Sequence, residues 1–203
     1  MNRANLLLIM AWTAIAAQAA PAGNALQIRF CDEVGLPAAE LAKFRDEVSG
    51  VMSKAGVESA WVYCSISNPA ENPAGCREPL KPTEVVVRLR AKASKDRDQS
   101  LGVSIALKDG SGVHTSLHFE QIAGLAERAK VDSTHLVALI ALHEVGHLLM
   151  GPDHFPLGIM QPNWGCRQVD ETLRRDLFFT EPQARKLQAS LNARAARLVA
   201  SAK

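Results

Sequence analysis

The fifteen-residue run Leu136-Val137-Ala138-Leu139-Ile140-Ala141-Leu142-His143-Glu144-Val145-Gly146-His147-Leu148-Leu149-Met150 is apolar on nearly every side when wound as an α-helix. Such a helix is stable in water only at the centre of a folded domain, so the rest of the chain has to be built around it. Inside the run sit two imidazoles and a carboxylate, and each would cost roughly 2 kcal/mol or more if buried without partners. A metal ion removes that cost. His143 and His147, four residues apart, project from one face of the helix about 40° apart, so both rings can reach one ion. Glu144 lies about 100° round the axis from His143, beside the ion and not on it. A chance pattern on a surface helix would not carry this apolar flanking sequence.

The next residues bend the chain. Gly151 suits the left-handed conformation that ends a helix, and Pro152 prevents its continuation. The turn falls three residues before His154 and is expected to fold a third imidazole back toward the pair. Three protein ligands on Zn²⁺ leave a fourth position for water, whose pKa the metal lowers to about 7, and a neighbouring carboxylate can take its proton. That is the division of labour in the H-E-x-x-H signature of metalloproteases, and it makes hydrolysis the leading expectation.

Six residues after His154 comes Met160-Gln161-Pro162, followed by Asn163-Trp164. Together with the histidine helix, this resembles the metzincin clan of zinc endopeptidases, whose motif H-E-x-x-H-x-x-G-x-x-H precedes a methionine-containing turn beneath the metal. Here the glycine and the third histidine each come one residue late. The resemblance implies that His143, His147 and His154 ligate one catalytic zinc, that Glu144 is the general base, and that Met160 is the turn methionine. Met160-Gln161-Pro162 looks like the matrixin form of that turn. From Phe44 to the C-terminal helix, the chain is also similar to a group of secreted bacterial proteins with a His-Glu-x-Gly-His helix and a Gly-Ile-Met turn. Asp153, or a glutamate such as Glu171 supplied from a later helix, stays open as the third ligand; His154 is preferred because neutral imidazole is a common zinc ligand and it aligns with the turn. No tyrosine follows Met160, so the oxyanion donor is unassigned.

The N-terminus suggests where such a protein works. Asn2-Arg3 is a short basic start, Leu6 to Ala17 is an apolar run, and Ala17-Gln18-Ala19 reads as a cleavage site, so residues 1–19 are expected to be a signal peptide and the protein secreted or periplasmic in a bacterium. The apolar run is shorter than the about 20 residues a membrane span needs. Losing Arg3 lowers the formal net charge from +2 by one, and nothing in that balance points to nucleic acid or an anionic membrane. An oxidising compartment favours pairing Cys31, Cys64, Cys76 and Cys166 as two disulfides. Three connectivities are possible; Cys64 and Cys76 flank the Pro/Asn/Gly-rich loop Ser65 to Gly75 and are favoured as a local pair worth roughly 3 kcal/mol, which leaves Cys31 with Cys166.

Residues 20–203 are enough for one catalytic domain, expected to be monomeric, and too few for two comfortable ones. Ala25 to Cys31, Val57 to Cys64, Glu84 to Arg90, Leu101 to Leu107 and Val113 to Phe119 read as strands, the last after the turn Asp109-Gly110-Ser111-Gly112. Ala38 to Ala55 has helical spacing, Asp132 or Ser133 starts the histidine helix, and Thr180-Glu181-Pro182 starts a last helix with Leu187, Leu191 and Leu198 on one stripe and its basic residues on a solvated face. The fold class expected is α/β (α+β): a twisted mixed sheet with a crossover helix that makes the first two strands parallel, then the zinc-site helix, the Met turn and a C-terminal helix.

Three histidines lie outside the motif. His114 and His118 share one face of the fifth strand and are read as exposed polar residues on a half-buried strand. If that strand were the edge beside the cleft, they would line the site while an extended peptide added to the sheet. His135, two turns before His143, is read as a surface residue with no role. The resulting functional expectation is a zinc endopeptidase acting on a peptide or protein substrate. Two alternatives are a secreted zinc protein without turnover and a zinc amidase acting on cell-wall peptides.

Overall fold

The computed structural model describes residues 25–94, 99–174 and 178–201. The expected signal segment lies outside them. The elements follow the order β1 (Leu26–Asp32), α1 (Ala38–Lys54), β2 (Ser59–Ser65), β3 (Glu84–Arg90), β4 (Gly102–Ser104), β5 (His114–His118), α2 (Phe119–Ala129), α3 (Ser133–Met150), α4 (Cys166–Arg174) and α5 (Glu181–Ser201). Five strands form one mixed sheet in the order β2-β1-β3-β5-β4. The β1–β2, β1–β3 and β3–β5 pairs are parallel, and β4 is an antiparallel edge. The expected α/β architecture and the parallel first crossover are therefore present.

Alternation along the strands decides which side is core. Leu26, Ile28 and Phe30 of β1, Val85, Val87 and Leu89 of β3, and Leu117 of β5 are buried on the face that α1 and α3 cover. Phe30 packs on Phe44 of α1 with ring centroids 4.7 Å apart. The whole of Leu136 to Met150 is buried, which is why its residues show no amphipathic period. This helix is long and apolar enough to cross a membrane, yet most of it is buried inside the fold. Asp132 caps it by accepting the His135 backbone N–H at 3.0 Å, as expected.

On the opposite face of the sheet, the loop that the Cys64–Cys76 disulfide closes packs against β2, while Arg88, Arg90 and His114 stay exposed. Arg29 holds that loop, donating through Nε to Glu84 at 2.7 Å and through Nη1 to the carbonyls of Cys76 and Glu78. The expected second bridge is absent: Cys31 and Cys166 are free thiols. Cys31 stands on β1 in register with Cys64, whereas Cys166 opens α4, a helix packed on α2.

Several elements depart from the sequence reading. The strand expected over Leu101 to Leu107 shrinks to three residues, because only Gly102 to Ser104 find partners on β5. The helix α2, directly after β5, was not anticipated, and the strongly one-sided α4, which carries Glu171, entered only as a conceivable source of a third ligand. β5 is an internal strand between β3 and β4 and so is not the edge beside the cleft. His135 pairs with Glu47 and is only partly exposed. On the last helix Leu187 and Leu191 are buried as expected, but Arg194 is buried too, 3 % exposed, which corrects the reading of all the basic residues there as solvated.

Candidate metal centre

One buried helix supplies the first two imidazoles, and a glycine that ends it supplies the turn to the third. Gly151 has φ 94° and ψ −176°, an extended left-sided conformation open to glycine and not the αL well expected from the sequence. Its effect is the anticipated one: the chain leaves the helix and returns His154 to the pair. The ring nitrogens available from His143, His147 and His154 all lie within 4.8 Å of one another. His154 is exposed, whereas His143 and His147 are buried. Asp153 and Glu171, the other candidate ligands, are not in this cluster; Glu171 pairs with Arg167 at 3.5 Å on the exposed side of α4.

Backbone carbonyls fix the two buried rings. His143 Nδ1–H donates to the carbonyl of Ile159 at 2.8 Å, and His147 Nδ1–H to that of Gly151 at 3.1 Å. With their protons committed there, both Nε2 atoms present bare lone pairs, and these face each other at 3.1 Å. Two acceptors at that distance repel unless a cation stands between them. Tetrahedral zinc with Zn–N distances of about 2.0–2.1 Å needs ligand nitrogens roughly 3.3 Å apart, so the donor set fits that ion. Burial pushes the His143 imidazole down to about 4 and lowers His147 as well, so both rings are neutral and ligand-competent at pH 7. The Trp164 indole N–H lies 3.4 Å from His143 Nδ1, whose own proton faces Ile159, so the contact is an edge-on packing contact, with ring centroids 6.0 Å apart at 89°.

Glu144 projects beside the cluster into a cleft of about 610 Å³. Leu101, Gly102 and Ser104 form one wall, and Pro162 and Trp164 belong to the other. Burial raises the Glu144 carboxyl to about 7, against the lowering effect of a hydrogen bond from Ser104. Met160 lies beneath the helix, fully buried, and a Cβ built on Gly146 would come within 2.3 Å of its Sδ. Glycine at 146 is what allows Met160 to sit that close.

The structure thus gathers His143, Glu144, His147, His154 and Met160. It does not gather His114 and His118, which project from the sheet face opposite α3. His114 is exposed, and His118 is buried with Nδ1 2.7 Å from the Ser100 carbonyl. Sequence reasoning missed Gly102 and Ser104. Their spacing of two on a strand was the available signal, since it sets both on the face toward α3.

No protein-family model matches the chain, and no curated protein matches it in sequence. The fold does match a solved structure. The chain is similar to the archaemetzincin of Methanopyrus kandleri, with a TM-score of 0.58 and 17 % identity over 85 % of this chain and 99 % of that one. At this identity the likeness is one of fold, an α/β sheet-and-helix arrangement shared across nearly the whole of that protein.

Proposed function

We propose that the protein is a secreted or periplasmic zinc endopeptidase in which His143, His147 and His154 hold the metal and Glu144 is the general base. The observation that carries this is the pair of bare Nε2 atoms 3.1 Å apart, with His154 returned to them and a buried carboxylate alongside. Support comes also from the fold shared with a protein named for the metzincins. Met160, under the helix that bears the two buried ligands, takes the part of the turn methionine. The Cys64–Cys76 disulfide fits an oxidising compartment, and residues 20–203 form the single catalytic domain.

Zinc, when bound, supplies a Lewis acid that polarises a scissile carbonyl and lowers the pKa of water to about 7. The chain's own residues do the rest. An extended peptide binds along β4, which is the edge strand of the sheet among the described residues and forms part of the cleft wall. Glu144 accepts a proton from water as its oxygen attacks the carbonyl carbon, then passes that proton to the amide nitrogen as the C–N bond breaks. The carbonyls of Ile159 and Gly151 keep the two buried imidazoles in the ligating tautomer throughout.

Zinc content measured by atomic emission on the disulfide-intact protein tests the metal assignment. About one zinc per chain is expected, with His143→Ala and His147→Ala losing it and His154→Ala binding at least tenfold more weakly. Metal-free wild-type protein after dialysis against zinc would refute the proposal.

The cleft wall gives a second expected result. A Cβ at position 102 would stand 2.8 Å from Glu144 Cγ and Oε1. Gly102→Ala therefore displaces the carboxylate and lowers kcat/KM for a denatured protein substrate by about 10- to 100-fold, because misplacement by about 1 Å is worth that much. Zinc content stays unchanged, since no ligand is touched; activity within twofold of wild type would show that the carboxylate's position is not critical.

A further inference from the structure

The two oxygens of Glu144 have different surroundings. Oε2 accepts a hydrogen bond from Ser104 Oγ at 2.5 Å. Oε1 has no hydrogen-bond donor among the described residues, lies against the bare backbone of Gly102, and belongs to a residue that lines the cleft. The carboxylate is thus held by one oxygen and free at the other.

Strand geometry puts Ser104 in place. Ser104 pairs with Thr115 across the β4–β5 ladder, on the face turned to α3, and Gly102 shares that face two residues away. Its hydroxyl has one proton and three oxygens in reach: Glu144 Oε2 at 2.5 Å, the Glu144 carbonyl at 2.9 Å and Thr115 Oγ1 at 3.1 Å. Thr115 spends its own proton on the Val103 carbonyl at 3.1 Å, which ties its hydroxyl to the strand backbone. The shortest and only carboxylate acceptor is Oε2, and a hydrogen bond to a carboxylate is the stronger kind. Residue 104 is also the last of a three-residue edge strand, so the group that holds Glu144 belongs to the element expected to take up the substrate backbone.

We propose that Ser104 is a positioning residue. Its hydroxyl anchors Glu144 Oε2 so that Oε1 faces the water-attack side of the cleft, and it links strand β4 to the general base. The inference rests on the reading of Glu144 as general base and goes beyond it by assigning each carboxylate oxygen a task.

Ser104→Ala and Ser104→Thr decide it, each as zinc-loaded protein with the disulfide intact. Threonine keeps the hydroxyl and suits a strand. In Ser104→Ala, kcat on a denatured protein substrate is expected to fall about 10- to 100-fold with KM within about twofold, and Ser104→Thr to recover to within about threefold of wild type. A readout independent of turnover is calorimetric binding of acetohydroxamate, a bidentate zinc chelator that occupies the space beside the carboxylate. Its affinity is expected to fall about tenfold in Ser104→Ala and in Glu144→Gln and to return in Ser104→Thr. Wild-type kcat and wild-type hydroxamate affinity in Ser104→Ala, with Glu144→Gln impaired, would overturn the positioning role and leave the peptidase reading standing. Loss of zinc or of folding in Ser104→Ala without rescue by threonine overturns it as well, in favour of a structural role. If Glu144→Gln binds hydroxamate like wild type and wild type cleaves nothing, the peptidase reading fails and takes the inference with it.

Discussion

Replacing Glu144 by glutamine is expected to leave about one zinc per chain and to reduce peptide hydrolysis by about a thousandfold. Glutamine has the same shape, and its amide oxygen can still accept the hydrogen bond that Ser104 Oγ makes to Oε2 at 2.5 Å, so the side chain stays where it is. What it loses is basicity. An amide cannot take a proton from the attacking water or return one to the leaving amine, and positioned general acid–base catalysis contributes about 10²- to 10⁴-fold. The metal is expected to be unaffected because the proposed ligands are the three histidines, and the tautomers of the two buried ones, His143 and His147, are fixed by the carbonyls of Ile159 and Gly151. Zinc content and kcat/KM measured on one preparation test both halves. A variant that keeps more than about a tenth of wild-type turnover would remove Glu144 from the chemistry, whereas loss of zinc together with turnover would place the carboxylate among the ligands.

The contrast with Ser104 shows what a sequence can disclose about such a site. Elements decided by local chemistry were legible. The helix Ser133–Met150 follows from its unbroken apolar run and its Asp132 cap, β3 from the alternation over Glu84 to Arg90, the exit turn from Gly151-Pro152, and the Cys64–Cys76 bridge from a loop short enough to close. The closeness of His143 and His147 was legible for the same reason, since a spacing of four on a helix is local geometry. Features fixed by distant partners were not. A three-residue strand such as β4 exists only because β5 lies beside it, so neither its length nor its edge position is written in Gly102 to Ser104. That concealed Gly102 and Ser104 and led to β5 being considered as the edge. Pairing Cys31 with Cys166 by elimination failed because sequence says which thiols are left over and not whether they meet; Cys31 lies on the sheet and Cys166 on α4. The helix Phe119–Ala129 begins directly where β5 ends, with His118 as its cap residue and no side-chain cap to mark the boundary.

Arg194 is the sharpest case, and replacing it by methionine is expected to cost about 3–5 kcal/mol of stability. On α5 it reads as one more basic residue among many, yet it is 3 % exposed and its guanidinium donates to the Gly110 carbonyl from Nε at 2.9 Å and from Nη2 at 2.5 Å. Nη2 also reaches the carbonyls of Gly112 at 2.6 Å and Leu148 at 2.9 Å. Leu148 is in the last turn of the metal-site helix, where carbonyls have no partner within the helix and a cation is favoured by the helix dipole. Gly110 and Gly112 belong to the turn between β4 and β5, so a single side chain joins α5, the end of α3 and the β4–β5 turn. Burial lowers the guanidinium pKa to about 10, which still leaves it charged at pH 7. Methionine fills much of the same space and satisfies none of the three carbonyls. At roughly 2–4 °C per kcal/mol for a domain of this size, Tm should fall by about 10 °C. Arg185→Met is the control, because Arg185 is exposed and its ion pair with Glu181 on the same helix is worth under about 1 kcal/mol. Thermal unfolding followed by circular dichroism, with zinc and after chelation, separates the causes: the loss should persist in the chelated protein, since carbonyls and not the metal are left without partners. An Arg194→Met variant as stable as Arg185→Met would mean that water or a rearranged turn satisfies those carbonyls and that Arg194 does not fasten the end of the metal-site helix.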